Sequence, residues 1–139
     1  MDVQVAVLCD AAADCNGKLI VHGTFDTIVT SQLPIVHPSC SVALRMLFNK
    51  VEEGKHEIKL HFGDEDGKPV MQTPPLPMEV MVPDDSIFVS RNLIINIQQL
   101  KFDKAGLYSI DFALDGRQAG SIPLLVKLVT PQRQQQLHH

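Results

Sequence analysis

The sequence is poor in aromatic residues and has no cluster of basic ones. Aromatic side chains make up 5% of the 139 residues, and twelve lysines and arginines stand against sixteen aspartates and glutamates, for a net charge of −4. A protein that binds nucleic acid needs basic side chains to neutralise phosphates and aromatic ones to stack on bases. We therefore expect no nucleic acid among the partners.

Segments that would direct the chain into or across a membrane are also lacking. Asp2 stands where a secretory signal needs a basic residue, and the apolar run up to Leu8 is short and interrupted. No stretch approaches the roughly eighteen apolar residues of a membrane-spanning helix. The cysteines Cys9, Cys15 and Cys40 are an odd number at irregular spacing, which is typical of reduced thiols. These observations predict a cytoplasmic protein without a membrane partner.

Apolar and polar residues alternate along most of the chain, as in β-strands that bury one face. The alternation is regular in 42–48 and 58–62, and Asn16-Gly17 and Asp115-Gly116 are strong turn signals. The only segment with some helical character, 9–15, is too short to form a stable helix alone. An open sheet would leave an apolar face in water. The pattern therefore predicts an all-β fold, an antiparallel two-sheet β-sandwich of about eight or nine short strands.

Two interruptions of the alternation predict local irregularities. The proline-rich segment 73–77 lacks donors for a central strand and predicts a loop or a sheet edge, with Met78, Val80 and Val82 in a short edge strand behind it. At Gln98-Gln99 the apolar positions change parity, which predicts a β-bulge or a change of sheet.

The length predicts one domain with one hydrophobic core. We expect residues 1–129 to form a single β-sandwich domain. Residues 130–139 are mostly polar and contain little that could be buried, so we expect a disordered C-terminal tail.

Four segments carry a resemblance to a known family: MDVQVAVLCDAAA, NGKLIVHGTFDTI, NIQQLKFDKAGLYSID and DGRQAGSIPLLV. Together they are similar to a family of small uncharacterised bacterial proteins, a domain of unknown function, over nearly all of 1–129. The resemblance implies a bacterial source and a one-domain β-sandwich. It transfers no catalytic residue.

Gly106-Leu107-Tyr108 resembles the tyrosine corner of immunoglobulin-like sandwiches, in which the tyrosine hydroxyl bonds back to a nearby backbone group. The resemblance implies an immunoglobulin-like β-sandwich with Tyr108 buried. The sequence departs from the motif at Lys104, where an acidic residue is usual, and Asp103 lies one position further back.

The candidates for a metal or thiol centre are His22, His37 and Cys40. His37 and Cys40 have the two-residue gap that is common between zinc ligands, and Cys9 or Cys15 could complete the set. Zinc sites usually show two such close pairs, however, and this sequence has one. Cys9 and Cys40 also fall where strands need small buried side chains. We therefore expect no metal and no cofactor.

Motifs for other chemistry are incomplete or absent from the sequence. Asp64-Glu65-Asp66-Gly67 resembles the start of a calcium loop but lacks the later acidic ligand, so it predicts a solvated turn. Asp84-Asp85 follows a proline and predicts a loop. The sequence contains no G-x-S-x-G motif and no glycine-rich phosphate loop. Enzyme function is not favoured.

Continuous apolar runs point to an interface. Leu93-Ile94-Ile95 and Leu124-Leu125-Val126, followed by Leu128-Val129, place apolar side chains on both faces of their strands, so that Ile94, Leu125 and Val129 need cover. Either segment 73–77 or a second subunit could supply it, and we expect a homodimer or a protein partner.

The sequence is compatible with three functional hypotheses. The first is a non-enzymatic binding or assembly domain, through a protein partner or self-association. The second is a small metal- or thiol-dependent enzyme around His22, His37 and Cys40. The third is a sandwich that binds a small molecule.

Overall fold

A computed structural model describes residues 1–130, which form ten β-strands and one turn of 3-10 helix at Lys50–Glu52. The strands are β1 (Asp2–Cys15), β2 (Lys18–Thr24), β3 (Thr27–Thr30), β4 (Ile35–Asn49), β5 (Gly54–Asp64), β6 (Pro69–Gln72), β7 (Leu76–Val80), β8 (Phe88–Phe102), β9 (Gly106–Leu114) and β10 (Arg117–Leu128). The all-β prediction is confirmed, with two short strands, β3 and β6, that the alternation did not predict. The predicted tail, 130–139, lies outside the described residues except for Thr130.

The strands form two sheets with the hydrophobic core between them. Sheet A has the order β2-β1-β4-β8, and sheet B has the order β3-β10-β9-β5-β6, with β7 also paired to β5. Neighbours within the described residues are antiparallel except β3 and β10, which are parallel. The predicted two-sheet sandwich is therefore confirmed. No helix within residues 1–130 has the length and hydropathy needed to cross a membrane.

The alternating residues of the central strands supply the core. Its largest fully buried side chains are those of Phe48, Phe62, Phe102, Leu8, Leu44, Met46, Ile58, Leu60, Ile110, Leu124, Val42 and Val80. Each of the larger ones contributes roughly 1.5–3 kcal/mol through removal from water. The predicted strands 42–48 and 58–62 thus occupy the positions that the period of two implies.

β1 contains a bulge that changes which of its residues face the core. Its register against β4 shifts between Val3 and Val5. Val3 packs against the core, but beyond the bulge it is Ala6 and Leu8 that do so. Strict alternation would place Val3, Val5, Val7 and Cys9 on one face, and the bulge instead moves the last three to the outward face of sheet A.

The β1–β2 hairpin, which includes the segment considered for a helix, is extended and folds back over sheet A. β1 leaves β4 at Cys9 and continues with β2 alone. At the hairpin tip, Asn92 Nδ2 donates to Asp14 Oδ2 at 2.9 Å, and Arg45 Nη1 donates to the carbonyl oxygen of Gly17 at 2.8 Å. The hairpin therefore partly covers the outward face of sheet A.

In both β4 and β8 the core-facing residues change parity near Gln98-Gln99, where the sequence predicts a bulge or a change of sheet. The pairs His37–Leu100 and Ser39–Gln98 keep one register, so neither a bulge nor a change of sheet occurs between these two strands. Instead, Gln99 adopts a left-handed backbone with φ of 55°, and it lies opposite Pro38, which has no N–H to donate. Both strands exchange their inward residues at this point.

The proline-rich segment lies at a sheet edge, as predicted. β6 pairs with one end of β5 and β7 with the other. Pro74 and Pro75 lie between these two short strands, and Pro77 lies within β7. Val80 and Val82 are buried. The alternation is interrupted here because two short strands, β6 and β7, form this edge in place of one long strand.

Candidate interaction surface at the edge of sheet A

β8 is the outermost strand of sheet A. One side pairs with β4 from Phe88 to Phe102, and no strand within residues 1–130 pairs with the other side. An edge strand presents a row of unpaired backbone N–H and C=O groups, which can accept a strand from another chain. At fifteen residues, β8 is long for such an edge.

The sequence of β8 is open to pairing over most of its length. Natural proteins protect edges with proline, lysine, bulges or short strands. Residues 88–98 contain neither proline nor lysine, and Arg91 is their only charged residue. Leu93 and Ile95 pack against the core, so the intervening Ile94, half-buried, faces outward. The left-handed Gln99 is the first irregularity along the edge.

A group of exposed apolar side chains adjoins the start of β8. We call it the end cluster, and its members are Val51, Met81, Ile87 and Phe88. The two loops that carry it are joined, because Lys50 Nζ donates to the carbonyl oxygen of Val82 at 2.7 Å and Glu53 Oε1 accepts from the Val82 amide at 2.8 Å. Val51 is 93% exposed and Ile87 is 86% exposed. Large apolar side chains this open to water are typical of binding surfaces when they gather in one place.

His56 forms a half-buried polar centre at the same end of the sandwich. Its Nδ1 lies 2.6 Å from Asp115 Oδ2, and its Nε2 lies 2.5 Å from the carbonyl oxygen of Glu52. The Glu52 carbonyl and then the Asp115 carboxylate raise the pKa of His56, since both favour the protonated ring. The ring borders a cleft of about 740 Å³ that Met1 and Arg117 also line. With both nitrogens engaged, His56 has no free atom for proton transfer.

The sequence pattern of a family of unknown function (DUF6941) matches residues 4–127. The chain belongs to this family. A comparison with curated proteins finds no match. The family match extends from β1 into β10, so the edge of β8 and the end cluster lie within the DUF6941 domain. The predicted resemblance to a domain of unknown function is confirmed, and the bacterial source stays a prediction.

In this DUF6941 domain the three predicted interface residues lie apart. Ile94 faces outward from sheet A, whereas Leu125, 39% exposed, faces outward from sheet B on the opposite side of the sandwich. Val129 is only 6% exposed, and its amide donates to the carbonyl oxygen of Thr30. The three residues therefore do not form one patch. Ile94 alone lies on the free edge.

His22, His37 and Cys40 are not brought together. His22 is exposed on β2, the ring of His37 packs against Phe25 at a tilt with centroids 5.4 Å apart, and Cys40 is a core residue. Within residues 1–130 no three His, Cys, Asp or Glu side chains gather as a metal site would require. The Nε2 atom of His37 is buried and has no hydrogen-bond partner. This arrangement gives the metal-enzyme hypothesis no support.

The thiol of Cys40 is poorly suited to nucleophilic chemistry. Burial, followed by the nearby Cys9 and Asp10, raises the pKa of Cys40 to about 11. A reactive cysteine needs the thiolate, and therefore a lowered pKa and some access to solvent. Cys40 is 2% exposed. Its properties are those of a small apolar core residue.

Proposed function

We propose that this DUF6941 domain acts by binding another polypeptide chain, not by catalysis, and that β8 is its binding strand. A partner would add an extended segment to sheet A, with backbone hydrogen bonds supplying affinity and neighbouring side chains supplying selectivity. The observation that carries the proposal is the edge of β8 along 88–98, which no strand within residues 1–130 pairs and which contains neither proline nor lysine.

The end cluster supports the same function. Phe88 begins β8, and Ile87 precedes it, so a chain that pairs with β8 passes beside exposed apolar side chains. Covering them removes apolar surface from water at about 25 cal/mol per Å². Backbone pairing and apolar contact would therefore act along one continuous surface.

The polar groups of the sandwich support a non-enzymatic role. Both ring nitrogens of His56 are engaged, and the raised pKa of Cys40 keeps its thiol protonated at neutral pH. We also propose a cytoplasmic setting, because Cys9, Cys15 and Cys40 are all free thiols.

The test uses a capped synthetic peptide of residues 88–98 as the added strand. Hydrogen exchange of the domain is measured at low protein concentration with the peptide and with a scrambled peptide of the same composition. We expect the β8 amides to exchange at least about tenfold more slowly with the first peptide, since pairing withdraws them from water. The scrambled peptide should have no such effect.

Two variants make the test specific to the edge. Ile94→Lys places a charge on the free edge and should abolish the protection, whereas Leu125→Lys places the same charge on the opposite face and should preserve it. Unprotected β8 amides at saturating peptide, or equal protection by the scrambled peptide, would show that β8 is not the binding strand.

A further inference from the structure

We infer that the chain that pairs with β8 is a second copy of this protein, joined antiparallel to its own β8 with Ile94 on the two-fold axis. This inference rests on the proposed function and adds the partner and the register. The result is a closed dimer in which two four-stranded A sheets become one eight-stranded sheet.

Symmetry restricts how β8 can pair with itself. Residues directly opposite each other in an antiparallel pair lie on the same face of the sheet. A two-fold axis perpendicular to the sheet keeps the outward faces of both copies on one side. One residue must then lie opposite its own copy, and all other pairs follow from that choice.

With Ile94 on the axis, the central residues of β8, 92–96, match their own reversed sequence. Ile94 lies opposite Ile94 of the second copy on the outward face, and Leu93 lies opposite Ile95 on the core-facing side. The next pair, Asn92 and Asn96, matches two amides. Apolar pairs at the centre and polar pairs beside them are the arrangement that stabilises antiparallel strands.

Neighbouring registers lose this match. With Leu93 on the axis, Asn92 would lie opposite Ile94 of the second copy. With Ile95 on the axis, Ile94 would lie opposite Asn96. Both arrangements set an amide against a branched apolar side chain at the centre of the pairing, where the Ile94 register has only apolar contacts.

The length of the paired segment follows from the backbone. Gln99 has a φ of 55°, which interrupts the regular edge, so pairing ends at Gln98. By symmetry it begins at Ser90, opposite Gln98. Residues 90–98 then pair over roughly 30 Å, at about 3.4 Å per residue. This is longer than most strands in globular proteins.

Arg91 works against pairing at one end of the paired segment. It belongs to the core-facing set of β8, and its guanidinium is half-buried and donates to the carbonyl oxygen of Ser90. An inward-facing charge is a device that protects edges from unselective pairing. In the Ile94 register it lies opposite Ile97, near the end of the paired segment and away from its apolar centre.

The register is tested by a disulfide between two copies. In a Cys15→Ser background the remaining cysteines, Cys9 and Cys40, are buried. Ile94→Cys would place two thiols opposite each other, with Cα atoms about 4.5–5.5 Å apart, a separation that a disulfide spans. We expect mild oxidation to convert most of this variant into covalent dimers, measured by mass spectrometry without reductant.

The matched control is Asn96→Cys in the same background. Asn96 is exposed, but its own copy lies four residues away along the pair, roughly 13 Å, which is too far for a disulfide. We expect no covalent dimer from it. If Ile94→Cys does not fold, the double variant Ser90→Cys/Gln98→Cys tests the same register, since these positions lie opposite each other.

Each outcome separates this inference from the proposed function. Cross-linking of the Ile94→Cys variant and not of the Asn96→Cys variant supports the register. A dimer by light scattering that cross-links only through Asn96→Cys, or through neither substitution, overturns the register and leaves strand binding intact. A chain that stays monomeric while the 88–98 peptide still protects β8 overturns the second copy as partner. Loss of peptide protection as well overturns the proposed function.

Discussion

The hydroxyl of Tyr108 donates a hydrogen bond to the backbone carbonyl oxygen of Lys104 at 2.6 Å. The ring is 3% exposed and meets the ring of Phe102 edge-on, with centroids 4.9 Å apart. The bond therefore fastens the connection between β8 and β9 to the core. This is the contact that the tyrosine-corner resemblance implied, and the wider likeness to immunoglobulin-like sandwiches stays a prediction.

We predict that Tyr108→Phe lowers the free energy of unfolding by about 1 kcal/mol, because it removes one hydrogen bond and preserves the ring. The measurement is urea denaturation followed by circular dichroism, with native spectra as the check on folding. An unchanged midpoint would mean that the bond contributes nothing to stability.

A second prediction concerns pH and His56. The Glu52 carbonyl and Asp115 hold the pKa of His56 above its ordinary value of about 6.5, so protons bind the folded state more tightly than the unfolded one. The stabilisation is therefore complete below about pH 6.5 and is lost as the pH rises through the raised pKa. His56→Gln removes this charge.

The measurement is the free energy of unfolding between pH 5 and about pH 9 for both proteins. We expect the wild-type chain to lose more stability with rising pH than His56→Gln does. Subtracting one curve from the other removes the contribution of the other histidines, which both proteins share. Parallel curves would show that His56 does not gain its proton on folding.

Thiol labelling gives a third prediction. Cys15 is exposed, whereas Cys9 and Cys40 are buried and burial raises the pKa of both. In the native protein an aromatic disulfide reagent should label Cys15 rapidly and the other two only after unfolding. The Cys15→Ser variant should show no fast reaction. Rapid labelling of Cys40 would restore the thiol-enzyme hypothesis.

Much of the fold could be predicted because burial with a period of two is a local signal. The segments 42–48 and 58–62 show it without interruption, and both are core strands. The faces of β1 could not be predicted, since Ala6 and Leu8 are as apolar as the odd-numbered residues and the bulge leaves no sequence signal. β3 and β6 have four residues each, too few for alternation to be recognised.

The candidate site depended on information that the sequence carries only in part. The apolar run around Ile94 correctly marked a strand with two apolar faces, but its free edge follows from the order of strands, which local pattern does not encode. Leu125 has the same local signal on the other sheet. His56 and Asp115 are 59 positions apart, and Asp115-Gly116 carries only a turn signal, so the sequence holds no sign of their pairing.

The most direct test of β8 as the joining strand is light scattering coupled to size exclusion, on the wild-type chain, Ile94→Lys and Leu125→Lys. We predict a wild-type mass of twice the 15.4 kDa of one chain, a monomer for Ile94→Lys because a charge on the axis meets its own copy, and an unchanged dimer for Leu125→Lys. A wild-type monomer at every workable concentration, or a dimer that survives Ile94→Lys and dissociates in Leu125→Lys, would contradict the account.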